Sequence, residues 1–261
     1  MEIKNRHVFV TGSNRGMGKE MALASARRGA HVHVVNRSED KNLIALLNSL
    51  GAASATYWHL DVGNVTSIND FYRQIEQKNQ SVDVLINNAG QLTGGIIETQ
   101  SPEEIVSMLN VNLVGLILLT RLVLPQMLKR KSGKIVNNAS VSGRMFFPGA
   151  STYAASKAGV VAFTECIKQE LRGTGVSTLL MITPGVKTDM YDKIPEKYSA
   201  NLDVSFLNSM PADKWAELVV RAIENDKEEI GPQTLSEKMM MGMAVHSTGL
   251  FERLVATKFK R

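Results

Sequence analysis

Short apolar runs recur along this chain with helical stretches between them, and that alternation leaves few architectures open. "HVFVTG" (7–12), "HVHVVN" (31–36) and segments near 54–61, 82–87, 134–139 and 176–183 read as strands. Helical patterns lie at 16–30, 39–52, 66–79, 102–130 and 152–173. "DVLI" and "STLLMI" are apolar at nearly every position, as strands covered on both faces must be. Strands joined by helices imply right-handed crossovers and a parallel sheet with helices on both faces, an α/β fold. The 261 residues suit one such domain. No internal repeat, low-complexity tract or linker divides them.

Two regions break the alternation. Residues 184–210 form a long connection carrying Tyr191 and Tyr198, a length typical of binding loops and lids. Residues 233–261 are Met-rich, with a helical pattern interrupted at Gly242 and Gly249 and with five Lys/Arg against two Glu. This extension is expected to pack on the 1–232 body or on a second subunit; its basic balance also leaves membrane contact open.

Several function classes drop out. One cysteine, Cys166, permits no internal disulfide and reads as a small buried apolar side chain. The five histidines form no metal-ligand pattern, so no metal site is expected. A net charge of +5 favours anionic ligands, but scattered basic residues and sparse aromatics give no nucleic-acid footprint. No apolar run reaches membrane-spanning length and the first residues lack a signal-peptide core, so a cytoplasmic location is expected.

"TGSNRGMG" (11–18) places Gly12, Ser13, Asn14, Arg15, Gly16, Met17 and Gly18 between the first strand and the first helix. Glycines there let the backbone turn sharply and approach a pyrophosphate, and the helix N-terminus offers unpaired N–H groups to its charge. The second strand ends in Asn36 and Arg37, where an acidic residue would accept from a ribose 2′-hydroxyl. Arg15 and Arg37 can instead pair with a 2′-phosphate, so the predicted cofactor is NADP; either arginine alone could be a solvated surface charge.

"STYAASKAGV" (151–160) puts Tyr153 four residues before Lys157, on one helical face. An ammonium beside a phenol favours the phenolate and lowers its pKa from about 10. Ser140, in "NNASVSG" at a predicted strand end, is a hydroxyl able to hold the reacting oxygen, with Ser142 as competitor. Met145, Phe146 and Phe147 suggest an apolar pocket wall.

Together "TGSNRGMG", "NNAG" (87–90), "NVNLVG" (110–115), Ser140, "YAASK" (153–157) and "PGVKT" (184–188) resemble the short-chain dehydrogenase/reductase family, in order from about residue 5 to residue 190. The resemblance implies a single Rossmann-like doubly wound domain around a seven-stranded parallel sheet. It also implies hydride transfer between NADP(H) and a carbonyl or alcohol. Carried over, Tyr153 is the acid/base, Ser140 polarises the substrate oxygen, Lys157 lowers the Tyr153 pKa and binds ribose, and Asn112 holds a water linking the lysine to solvent. Gly12, Gly16 and Gly18 line the pyrophosphate. Asp61, with Val62, meets adenine; Asn88, Ala89 and Gly90 flank the adenosine ribose. Val186 and Thr188 meet the carboxamide, and Pro184 and Gly185 before them are also cofactor-binding. Asn87 reads as a strand brace. Leu113, Leu116, Leu119 and Phe163 correspond to a family interface, implying a homodimer or homotetramer. Two other readings are a catalytically silent NADP-binding regulator and a 3-oxoacyl reductase acting on carrier-linked groups. For the latter, Lys129, Arg130 and Lys131 would form an anionic-partner patch.

Overall fold

The computed structural model describes residues 1–198, 200–204 and 208–261. Its first half alternates β1 (His7–Thr11), α1 (Gly16–Ala26), β2 (His31–Asn36), α2 (Lys41–Ser49), β3 (Ser54–His59), α3 (Val65–Gln77) and β4 (Val84–Asn87). The second continues through α4 (Pro102–Leu109), α5 (Gly115–Arg130), β5 (Gly133–Asn138), α6 (Ser151–Glu170) and β6 (Val176–Met181). A two-stranded ribbon of β7 (Val186–Lys187) and β8 (Met210–Pro211) brackets the short helices α7 (Asp189–Asp192) and α8 (Ile194–Tyr198). Then come α9 (Ala212–Glu224), β9 (Glu229–Ile230), α10 (Leu235–His246) and α11 (Thr248–Ala256).

The main sheet has seven strands in the order β3-β2-β1-β4-β5-β6-β9, parallel throughout. Strand alternation feeds two cores. Val8, Val10, Val32 and Val34 face α1, α2 and α9 through Met21, Leu43, Leu47 and Trp215. Phe9, Val35 and Leu85 face α3 and α5 through Phe71, Leu119, Val123 and Met127. Strand order reverses between β1 and β4, and ligands of open parallel sheets bind beyond the strand ends at such a point.

Three sequence expectations are corrected. The stretch 102–130 is helical and, by length and composition, apolar enough to cross a membrane; here Leu119, Val123 and Met127 bury one face of it on the sheet. The extension does not break at Gly242: α10 runs through it, and the chain turns at Ser247, whose backbone is non-helical. Cys166 is exposed, on the outer face of α6.

A histidine cluster braces β1 to β2. The Trp58 Nε1–H donates to His33 Nδ1 at 2.9 Å, which leaves the His33 proton on Nε2, 3.0 Å from His7 Nδ1. Phe9 stacks on the His33 ring, 4.0 Å between centroids. Burial, reinforced by His7 and His31, pushes His33 down to about 3. The unfolded chain takes up this proton near pH 6.5 and the folded chain does not, so stability is lost as pH falls below 6.5. By pH 5 the loss should be about 2 kcal/mol. Urea unfolding at pH 7 and pH 5 checks this; equal stabilities would remove the histidine from the account.

Candidate active site

A cavity of about 290 Å³ opens beyond the ends of β4, β5 and β6, walled by Gly90, Asn138, Ser140, Tyr153, Lys157 and Thr183 among others. Each element delivers its residue by simple geometry. Ser140 follows β5 by two residues and caps a single helical turn, its Oγ accepting from Ser142 N at 3.1 Å. Tyr153 and Lys157 lie one turn apart near the start of α6. Ser140 is therefore the serine hydrogen-bonded to Tyr153, and Ser142 contributes only its amide to that bond network.

Lys157 is 4% exposed, and its Nζ donates to the Asn138 carbonyl at 2.7 Å. Nζ stands 5.8 Å from the Tyr153 ring centre. Burial pushes the lysine down to about 8. The Tyr153 phenol is raised, because burial outweighs the hydrogen bond with Ser140. The expected acidified phenol is thus absent in this state: the ammonium is turned onto a backbone carbonyl, and the protonated phenol is favoured.

The turn after β1 is built for a close backbone approach. Gly12 and Gly16 have φ of +67° and +54°, conformations in which a side chain is strained. A Cβ on Gly18 would overlap the Gly12 carbonyl and come within 2.6 Å of Asn88 Nδ2. No side chain caps α1 among the described residues, and its first turn holds no acidic group, leaving its N–H groups for an anion. This cradle fits a dinucleotide pyrophosphate.

Asn36 serves the turn itself. Its Oδ1 accepts from Ser13 N at 2.7 Å and Asn14 N at 3.3 Å, while Nδ2 donates to Ser13 Oγ and Asn14 Oδ1. Arg15 and Arg37 are exposed, and neither forms a salt bridge among the described residues. Arg37 and Asp61 line one cleft with Gly63, Asn64 and Gln91. Val62 sits behind it, its carbonyl against Gly115 at the start of α5.

Several other site residues prove to be braces. Asn88 Nδ2 donates to the Thr11 carbonyl at 3.0 Å, and the amides of Asn88 and Ala89 both donate to Thr11 Oγ1. Asn87 Nδ2 bonds Thr120 and Asn137 inside the core, the structural role expected of it. Asn112 lies in a π-helical turn, Asn110–Val114, between α4 and α5, a distortion common at functional sites. Its Oδ1 accepts from Gln91 N at 2.7 Å, and Nδ2 donates to Gln91 O and Ser156 Oγ. Asn112 and Lys157 flank the bare face of Gly90 without touching each other. Met17, Pro184, Gly185, Val186 and Thr188 line the cavity, with Thr188 Cγ2 packed near Gly16.

Met145 and Phe147 form apolar wall, but Phe146 between them points outward and is 62% exposed. Lys129, Arg130 and Lys131 end α5 and precede β5, so they lie at the edge of the sheet opposite the cavity, about 20 Å away along the strand. Sequence reasoning passed over Asn138. Its carbonyl holds Lys157, its Oδ1 accepts from Thr183 Oγ1 at 2.6 Å, and its Nδ2 donates to Asn88. The only signal was a second asparagine closing a strand whose apolar residues are Ile135 and Val136.

The family model described as short chain dehydrogenase matches residues 6–199. The ketoacyl reductase HetN of Nostoc sp. is 36% identical over 230 residues, 87% of this chain and 78% of that protein. A 3-oxoacyl-(acyl-carrier-protein) reductase of Synechocystis sp. is 36% identical over 192 residues, 71% of this chain and 76% of its own. Among solved structures, a variant of actinorhodin polyketide ketoreductase with NADPH matches with a TM-score of 0.76 and 30% identity, over 84% of this chain and 90% of that one. The sheet order, the glycine turn and these likenesses agree: the chain belongs to the short-chain dehydrogenase/reductase family of oxidoreductases.

Proposed function

We propose that this protein is an NADP-dependent reductase of apolar carbonyl compounds, with Ser140, Tyr153 and Lys157 as its catalytic residues. The observation that carries this is the meeting of the Ser140–Tyr153 hydroxyl pair and a buried lysine on one wall of an apolar cavity that Met17 of the glycine turn also lines. The nicotinamide, when bound, supplies hydride to the carbonyl carbon. Gly12, Gly16 and Gly18 would hold its pyrophosphate, and Arg15 and Arg37 the 2′-phosphate.

The carbonyl oxygen is held by the Ser140 hydroxyl, which stabilises charge developing there. Tyr153 donates its phenolic proton to that oxygen; its raised pKa keeps the proton in place at neutral pH. The phenolate left behind lies one helical turn from the Lys157 ammonium, which is 5.8 Å from the Tyr153 ring centre and stays charged below about 8. Asn112 works through Gln91 and Ser156, whose Oγ bonds the Tyr153 carbonyl, so its role is positioning. Assembly as a homodimer or homotetramer and a cytoplasmic location belong to the same reading. Leu116 and Leu119 are taken up by the chain's own core, leaving partly exposed Leu113 and Phe163 for a partner.

The names of the relatives favour a second reading, reduction of carrier-linked 3-oxoacyl groups. Against it, Lys157 is the only cation lining the cavity among the described residues, Glu237 stands at its rim, and the basic patch is at the wrong edge. Among the described residues the cavity lining offers a phosphate-bearing arm no cation besides Lys157.

Following NADPH loss with apolar ketones, aldehydes, quinones and acyl thioesters tests both readings. Turnover should favour NADPH over NADH at least tenfold, and the R15A/R37A pair should cut that preference by about 10- to 100-fold. A native preference for NADH would overturn the cofactor assignment.

A further inference from the structure

The far wall of the cavity is made by parts of the chain outside the motifs that carry the family resemblance. Between β7 and β8 the lid contributes Met190, Tyr191, Ile194, Tyr198, Leu202 and Val204 to the lining, and α10 adds Ser236, Glu237 and Met240. The lid is fastened at two points. At the first, the Tyr198 ring fills a slot between two glycines: a Cβ on Gly94 would lie 2.5 Å from the ring, and one on Gly149 3.5 Å. The Tyr198 hydroxyl donates to the Thr93 carbonyl at 2.7 Å. Thr93 Oγ1 lies 3.2 Å from Thr152 Oγ1, beside the reactive tyrosine.

The second fastening is the C-terminus itself. Leu202 and Phe259 form an antiparallel bridge. Around it Asp203 N donates to the Lys258 carbonyl at 2.8 Å, and Lys260 N donates to the Asn201 carbonyl at 2.7 Å. Asn201 Nδ2 donates to the Lys260 carbonyl at 2.9 Å. Lys258 pairs with Asp203 at 3.0 Å, and Arg261 reaches Glu98 at 2.7 Å, tying the end to the opposite bank of the cleft. Phe259 packs in one apolar cluster with Tyr198, Leu202, Ile194 and Phe147. Upstream, in α11, Phe251 meets Phe147 edge-on at 5.5 Å and Val255 joins Met145.

From these contacts we propose that residues 257–261 are a clamp that holds the lid over the substrate, and that Phe259 determines which apolar substrates the cleft accepts. Main-chain pairing makes the clamp a short added strand, and two ion pairs fix its ends. Phe259 backs the cluster against which a substrate's apolar end would rest, so its bulk limits the length of that end. The residue touches the lid rather than the reacting atoms, so it is a specificity-determining position and not a catalytic one. The proposal rests on the reductase reading for its substrate, but its structural half stands apart from it.

The test compares the full chain with a variant ending at Ala256 and with Phe259→Ala. Hydrogen exchange of the lid peptide 188–198 should be at least tenfold faster in the shortened chain, with exchange of the turn 11–18 and NADPH affinity unchanged. For a series of straight-chain ketones, Phe259→Ala should move the best kcat/KM to a chain longer by two or more carbons, while kcat for the shortest ketone stays within threefold. Lid exchange equal to that of the full chain, or an unmoved chain-length profile, would overturn the clamp. Because exchange is read without turnover, a full-length chain inactive on every ketone would count against the reductase and not against the clamp. If the shortened chain fails to fold, Phe259→Ala carries both readouts.

Discussion

Replacing Tyr153 by Phe should lower kcat about 1,000-fold while leaving NADPH affinity within twofold. The substitution keeps the ring, its packing and its place on α6, and removes one hydroxyl whose hydrogen-bond partner is Ser140. That hydroxyl carries the proton which the proposed reduction delivers. Beside it on that wall, Ser140 is far less acidic, Lys157 is turned onto Asn138, and the Tyr198 hydroxyl is already donated to the Thr93 carbonyl. Lys157→Met should behave differently, weakening cofactor binding as well as turnover, because under the proposed function the buried Lys157 ammonium serves both. It also sets the pH limb. With the lysine pushed down to about 8, reduction should decline as pH rises through that value, and the decline should vanish from what activity Lys157→Met retains. Single-turnover rates and NADPH fluorescence titrations separate the two variants. Tyr153→Phe turnover within tenfold of the parent would dismiss the phenol as proton donor.

What the sequence could and could not disclose follows from how local each signal is. Six of the seven main-sheet strands, the glycine turn and the Tyr–Lys face are written in runs of neighbouring residues, where period and spacing are read directly. The seventh, β9, is two residues long and exists through pairing with β6, which no periodicity can announce. Phe146 illustrates a second limit: three consecutive apolar residues suggest a wall, but the chain there cannot turn all three side chains the same way. Asn138 and Ser156 act through partners distant in sequence or through the main chain, so their residue types alone carried little. The direction of the Tyr153 pKa shift escapes the sequence for a related reason. Spacing alone puts an ammonium one turn from the phenol and predicts a lowered pKa, but a carbonyl on β5 captures the ammonium and burial decides the balance. The clamp at the C-terminus was least legible of all, since it depends on two segments some 55 residues apart, as in Asp203 and Lys258.

Gly18→Ala should weaken NADPH binding at least 100-fold, a far larger effect than one methyl group usually has. The added Cβ meets the Gly12 carbonyl and Asn88 Nδ2, and neither can yield cheaply. Gly12 is held by its own amide bond to the Val35 carbonyl at 3.0 Å. Asn88 is held by Thr11 and by Asn138, the residue that also positions Lys157. Relief must therefore come from lifting the turn off the helix, which removes the N-terminal N–H groups from the surface a pyrophosphate would use. Gly242→Ala supplies the contrast. Among the described residues nothing outside its own helix backbone and chain neighbours lies within 4 Å of its added methyl, the residue sits inside α10, and alanine there should stabilise the chain by roughly 0.5–1 kcal/mol with binding untouched. Isothermal titration and thermal unfolding of the two variants distinguish a glycine needed for close approach from one that is merely tolerated. NADPH affinity of Gly18→Ala within threefold of the parent would mean that the cofactor does not bind through this turn, and the reductase reading would lose its cofactor site.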